Sequence, residues 1–206
     1  MAIINPVSRE LQIKIVYYGP ALCGKTTNLV QVHERVKTAP GDKTKLTSLA
    51  TSSDRTLFFD FLPVETMAIK GFKTKFQLYT VPGQVIYNTT RQLLLRGVDG
   101  IIFVADSNYD KMGENLESLE NLQANLRSQQ IDPLEVPYVL QYNKRDLPNA
   151  APVEYMDFLL NDREVQVPSF VANAKSCEGV FETLNAISRM LLNKFIQQPT
   201  PQIAHT

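Results

Sequence analysis

The chain has 206 residues, 21 Lys plus Arg against 21 Asp plus Glu, and therefore a formal net charge of zero; 44% of it is hydrophobic. That length fits one domain with a sizeable core, and the balanced charge argues against the basic stripe with which a nucleic-acid binder neutralises phosphates. Two cysteines, Cys23 and Cys177, form no disulfide framework and point to a reducing cytoplasm, and apolar runs such as Ile101-Ile102-Phe103-Val104-Ala105 fall far short of the roughly 20 residues that span a bilayer.

Neither Met1-Ala2 nor Ile203-Ala204-His205-Thr206 carries a lipidation pattern, and no signal-peptide pattern is read at the start. The expectation is a protein without direct membrane insertion.

Leu11 to Tyr18, rich in Ile, Val and Tyr, predicts a strand that runs into Gly19-Pro20-Ala21-Leu22-Cys23-Gly24-Lys25-Thr26. Helical composition follows from Lys25 to about Lys37. Strand, glycine loop and helix in that order make a polyphosphate cradle: backbone amides and a helix amino terminus point at the anion, and Gly19 and Gly24 let the backbone come close. Lys25 supplies a cation for the β and γ phosphates and the Thr26 hydroxyl a ligand for Mg²⁺. Such a loop does not tell GTP from ATP, and a small-molecule kinase places it at the same point. Cys23 reads as packing, with a thiol switch as the alternative, since a helix amino terminus lowers a thiol pKa.

Pro40 and Gly41 mark a loop before the region from Thr47 to Thr56. Leu57 to Leu62 and Phe72 to Val81 predict two strands with no full helix between them, hence an antiparallel hairpin. Gly100 to Asp106 is a continuous apolar run of the kind found in parallel strands buried on both faces, and Tyr138 to Tyr142 and Ser169 to Ala172 are its companions. Between them, Met112, Leu116, Leu119, Leu122 and Leu126 recur at helical spacing, as do Val180, Leu184, Ile187 and Leu191. The fold class is α/β: a three-layer arrangement around a mostly parallel sheet of about six strands with one antiparallel edge hairpin, and ligands at the carboxyl ends of the strands. Residues 1–196 are read as one domain. Gln197 to Thr206, with Pro199 and Pro201, is read as a loose tail.

Asn143-Lys144-Arg145-Asp146 closes one of those strands. A carboxylate at Asp146 accepts from guanine N1 and the exocyclic amine, a donor pair that adenine lacks. Asn143 would brace the loops and Lys144 pack along the base; a polar strand end before a Pro148 turn is the plainer alternative. The acid favours GTP over ATP as the ligand of the upstream loop.

These residues resemble the Ras-like small GTPases from about Gln12 to Phe195, and within them the MglA-type bacterial polarity GTPases. The resemblance rests on Lys14 to Pro20, Asp54 to Pro63, Gly71 to Thr74, Leu78 to Val85 and Gln141 to Pro148. It implies a cytoplasmic GTP-binding switch that hydrolyses GTP to GDP with Mg²⁺ and directs polarity or motility machinery at a cell pole. The implied partners are a roadblock-type activating protein and polar adaptors. It also implies a first-switch strand that shifts register on activation. The implied nucleotide contacts are Gly19, Ala21, Leu22, Cys23, Gly24, Lys25, Thr26, Thr27, Thr56, Gly83, Asn143, Lys144, Asp146, Ala174 and Lys175. Asn173-Ala174-Lys175 is similar to the Ser-Ala-Lys loop, whose middle amide meets guanine O6. Thr26 and Thr56 are the implied metal ligands, and Gln84, Arg55 and Lys25 the implied catalytic residues, with Gln84 orienting water and Arg55 acting as an internal finger. For Arg55 a solvated surface arginine is the open alternative.

Two departures from the Ras pattern bear on turnover. Thr80 stands where most small GTPases carry the Asp that holds Mg²⁺ through water, and the MglA type shares this threonine; the outer Mg²⁺ shell is left to waters or another acid, and Asp54 or Asp60 could serve, though the sequence does not place them. Ala21 stands where glycine is usual, which implies slowed hydrolysis. A scaffold that holds GTP without hydrolysing it is therefore the competing function, favoured by Ala21 and Thr80 and opposed by Gln84, Arg55 and Thr56.

Overall fold

The alternation of core residues along two central strands sets the architecture. In β2 (Glu10–Tyr18), Leu11, Ile13, Ile15 and Tyr17 enter one apolar cluster while Val16 and Tyr18 enter another. β6 (Gly100–Asp106) is buried at every position and divides the same way, Ile102 and Val104 against Ile101, Phe103 and Ala105. A strand with both faces apolar demands cover on both faces. One cover is α1 (Lys25–Val36) with α5 (Val180–Gln197), through Leu29, Val32, Ile187 and Leu191. The other is α2 (Asn88–Leu95), α3 (Met112–Ser128) and α4 (Val153–Leu160), through Leu95, Leu122 and Met156. Three layers follow.

The structure, a computed structural model, describes residues 3–5, 8–37, 47–50, 56–69, 71–84, 87–162 and 165–197. The remaining strands are β1 (Ile3–Asn5), β3 (Thr47–Ala50), β4 (Thr56–Ile69), β5 (Phe72–Thr80), β7 (Tyr138–Asn143) and β8 (Ser169–Val171). The sheet runs β3-β4-β5-β2-β6-β7-β8, and β5, β2, β6, β7 and β8 are mutually parallel. β4 turns back antiparallel on β5, which completes the six-stranded mixed sheet that the sequence predicts. Two short strands add to it. β3 pairs antiparallel with β4, and β1 pairs with residues 10–12 of β2, ahead of Ile15 where the β6 ladder begins.

The hairpin is longer than the sequence indicates, because β4 continues through Pro63 to Ile69. Pro63 faces Gln77 of β5 and lies beyond Phe61, the last described partner of β3 on that strand, so its missing N–H costs no described rung on that side. The hairpin then turns at Gly71, whose φ is 79°. Of the tail, Gln197 is the last residue of α5, and 198–206 lie outside the described residues. No helix among the described residues is long and apolar enough to cross a membrane.

Candidate nucleotide site

β2 ends at Tyr18, and the chain enters α1 through a loop that only glycine can make at two points. Gly19 has φ 141° and a Cβ there would lie 2.1 Å from the Val104 carbonyl oxygen. Gly24 has φ 105° and its Cβ would lie 2.1 Å from Asn143 Nδ2. α1 begins without a side-chain cap and without an acid in its first turn, so its amino terminus, at Lys25, presents the positive end of the helix dipole to an anion. The Lys25 ammonium is buried and donates to the carbonyls of Gly19 at 2.9 Å and Pro20 at 2.5 Å. Ala21 is half-buried, and Leu22, at φ 60°, is exposed. Cys23 is fully buried. Burial pushes its thiol up, against the opposing pull of Lys25, which is the reverse of the shift a thiol switch needs.

One side chain ties this loop to the far end of β7. Asn143, buried, donates through Nδ2 to the Cys23 carbonyl at 2.7 Å and accepts through Oδ1 from the Ala174 amide at 2.8 Å. Beneath it Gln141 exchanges hydrogen bonds with Asn28 at 2.8 and 3.0 Å and donates to Thr183 Oγ1 at 3.1 Å, which joins β7 to α1 and α5. Lys144 sits at φ 67° and its ammonium meets Asp106 Oδ2 at 2.6 Å. Asp146 is exposed on the same turn, Ala174 is buried, and Lys175 is exposed with its amide on Asn173 Oδ1. Asp106 escaped the sequence reading. Its signal was an acid ending a wholly apolar strand; the register Asp106↔Asn143 sets it beside the base loop, and Asn115 clamps both its amide and its carbonyl.

The third wall comes from the end of β5, where Thr80 is fully buried. A Cβ on Gly83 would lie 2.3 Å from Ala21 Cα, so this turn abuts the phosphate loop and admits no larger residue. Gln84 follows, half-buried, with its carbonyl accepting from the Tyr87 amide. Pro20, Ala21, Gly83, Gln84 and Arg91 line one cavity of about 450 Å³. Arg91, also missed from sequence, is buried in α2 and reaches the carbonyls of Pro82 and Gly83.

Thus the loop from Gly19 to Thr27, Gly83 and Gln84, Asn143 to Asp146, and Ala174 with Lys175 gather at the carboxyl ends of the parallel strands. Arg55 and Asp54 lie outside the described residues. Thr56 opens β4 opposite Ala50 and Asp60 stands opposite Ser48, but their side chains are likewise outside. Among the described residues no group of three His, Cys, Asp or Glu is placed to hold a metal. Two glycines, an uncapped helix start and a buried ammonium fit a polyphosphate, and hydroxyl donors with few acids fit an Mg²⁺ that keeps water and phosphate oxygens about it.

The ADP-ribosylation factor (Arf) family model matches residues 2–191. The chain is 56% identical over 194 residues to the mutual gliding-motility protein MglA of Myxococcus xanthus, covering 94% of this chain and 97% of that one. It is 26% identical over 182 residues to the Ras-related protein Rab-13 of Canis lupus familiaris and 28% identical over 184 residues to that of Mesocricetus auratus, each covering 88% of this chain and 80% of the relative.

Proposed function

Because the chain belongs to the Arf/Ras-like small GTPase family, we propose that it is a GTP-hydrolysing switch that controls motility or polarity machinery. The observation that carries this reading is Asn143, whose two hydrogen bonds couple the phosphate loop to the loops that would read guanine. In this reading Gly19 to Thr27 wrap the phosphates, Lys144, Asp146 and the Ala174 amide hold the base, and Lys175 flanks it. Thr26 and Thr56 would hold Mg²⁺, which when bound offsets phosphate charge. Gln84 orients a water whose oxygen attacks the γ phosphorus while GDP leaves, and Lys25, with Arg55 as an internal finger, meets the charge that develops on the phosphate oxygens.

Ala21 would slow that step, since it borders the turn that carries Gln84. Thr47 to Thr56 and Pro82 to Arg91 would be the surfaces that effectors read, ordered by the γ phosphate and released on its loss. A roadblock-type activator and polar adaptors are the proposed partners, and a cytoplasmic protein recruited to a cell pole the proposed setting. The MglA relative, named for gliding motility, supports the motility part of this reading.

The test is nucleotide competition followed by phosphate release. GTP should displace a labelled guanine nucleotide while ATP does not, and purified protein should release phosphate from GTP slowly. Preferential displacement by ATP refutes the role of Asp146. Binding without release, even with an activator present, makes the non-hydrolysing scaffold the better reading.

A further inference from the structure

Arg91 is among the largest side chains that the fold buries completely, at 1% exposure. Among the described residues no carboxylate pairs with it. Its Nε donates to the Pro82 carbonyl at 2.9 Å, its Nη2 to the Gly83 carbonyl at 2.5 Å and its Nη1 to Asn121 Oδ1 at 2.7 Å, and the guanidinium lies 5.5 Å from the Tyr18 ring centroid. A buried cation with no carboxylate among the described residues within ion-pair distance is costly, and a Leu or Met would fill the same space without that cost. What only the guanidinium does here is hold two successive carbonyls at once.

That grip fixes amide directions. No peptide bond here is cis, and in a planar trans peptide the N–H points opposite the carbonyl. With the Pro82 and Gly83 carbonyls turned onto Arg91, the Gly83 and Gln84 amides point away from it, and Gly83 abuts the phosphate loop at Ala21. The anchor is itself secured. Asn121 Oδ1 also accepts from the Tyr18 hydroxyl, Asn121 Nδ2 donates to Asn88 Oδ1 at 3.1 Å, and Asn125 Nδ2 donates to the Tyr18 hydroxyl at 3.1 Å and to Asn88 at 2.8 Å. Tyr18 is the last residue of β2, next to Gly19. One arginine in α2 therefore links the Pro82–Gly83 turn, α3 and the root of the phosphate loop.

We propose that Arg91 is a positioning residue that sets the Gly83 and Gln84 amides for the terminal phosphate, so that it governs the preference for a nucleoside triphosphate over a diphosphate and leaves diphosphate binding untouched. The inference rests on the nucleotide site proposed above. Lysine keeps the charge but has no planar fork to span both carbonyls and Asn121.

Affinities for GDP and for the slowly hydrolysed analogue GTPγS, measured by displacement of a fluorescent GDP, test it in the full chain. Arg91→Lys should bind GDP within about threefold of the parent and lose about tenfold in its GTPγS-over-GDP preference. Asn121→Ala, which withdraws the third anchor, should lose about threefold in the same ratio, and Asn121→Asp, which keeps an acceptor for Arg91, should stay within about twofold. A ratio unchanged in Arg91→Lys, or GDP and GTPγS weakened by the same factor, overturns the proposal as mere structure. If Arg91→Lys no longer binds GDP at all, the Asn121 pair decides: a ratio shifted in the alanine and kept in the aspartate supports the proposal, and a ratio equal in both overturns it. The readout needs binding but no turnover, so a parent protein that releases no phosphate refutes the hydrolysing switch while leaving this test in force.

Discussion

The two ends of the proposed site, for the base and for the terminal phosphate, are held by different kinds of contact. At the base end a short, buried amide, Asn143, closes two backbone hydrogen bonds from a strand flanked by β6 and β8. At the other end the Pro82–Gly83 turn hangs from one long side chain on an eight-residue helix, α2, secured by Tyr18, Asn88, Asn121 and Asn125. A short side chain on a buried strand fixes its partners through few torsions, whereas the arginine reaches its carbonyls through a long side chain and depends on a polar network to hold it. On the reading proposed above, the contrast separates a part that holds the nucleotide from a part that changes with it.

Breaking the holding part should have the largest effect. Asn143→Ala leaves the Cys23 carbonyl and Ala174 amide buried without their partner, at about 3 kcal/mol of folding stability for the pair, and by loosening both loops it joins should cost about 100-fold in affinity. GTP and GDP should weaken together by that factor in equilibrium titration, in contrast to the selective loss at Arg91; a selective loss in Asn143→Ala would erase the distinction between the two ends. Ala21→Gly sharpens the changing part. Single-turnover hydrolysis should quicken about three- to tenfold, or about 1 kcal/mol of barrier, with GDP affinity unaltered, and an unchanged rate would remove Ala21 from the account of turnover.

The effect that leaves binding and turnover alone is a chemical one on the holding part. Because burial raises the Cys23 pKa, the folded protein carries less Cys23 thiolate at any pH below that raised value than an exposed thiol would. Thiol labelling at pH 8 should modify the half-buried Cys177 first and Cys23 at least about tenfold more slowly, with the two becoming equal in denaturant. Equal rates in the folded protein would mean that the loop behind Gly19 opens readily.

Much of the holding part was legible because it is local. Gly19 to Thr26 and Asn143 to Asp146 are contiguous runs whose residue types state their chemistry, and the apolar run Gly100 to Asp106 announces a doubly buried strand. The short helices α2 and α4 were not legible: eight residues give barely two turns of periodicity, and no stripe such as Met112 to Leu126 emerges. The length of β4 was hidden by Pro63, which reads as a break until its neighbours in the sheet are known. Arg91 looks in sequence like an ordinary surface charge, and nothing near it in the chain says that it is buried; Asp106 reads as a strand end, but not as the partner of Lys144.

By itself the sequence determined the family and the order of six strands with helices α1, α3 and α5, because residue type and spacing fix local backbone, and its two short motifs carry the ligand chemistry proposed above. Only the tertiary structure decided that Asn143 joins the two motifs, that Gly83 lies against Ala21, and that Arg91 holds the turn between them. Those facts depend on which distant segments the sheet brings together, and close packing, rather than local propensity, selects the one side chain that can bridge them.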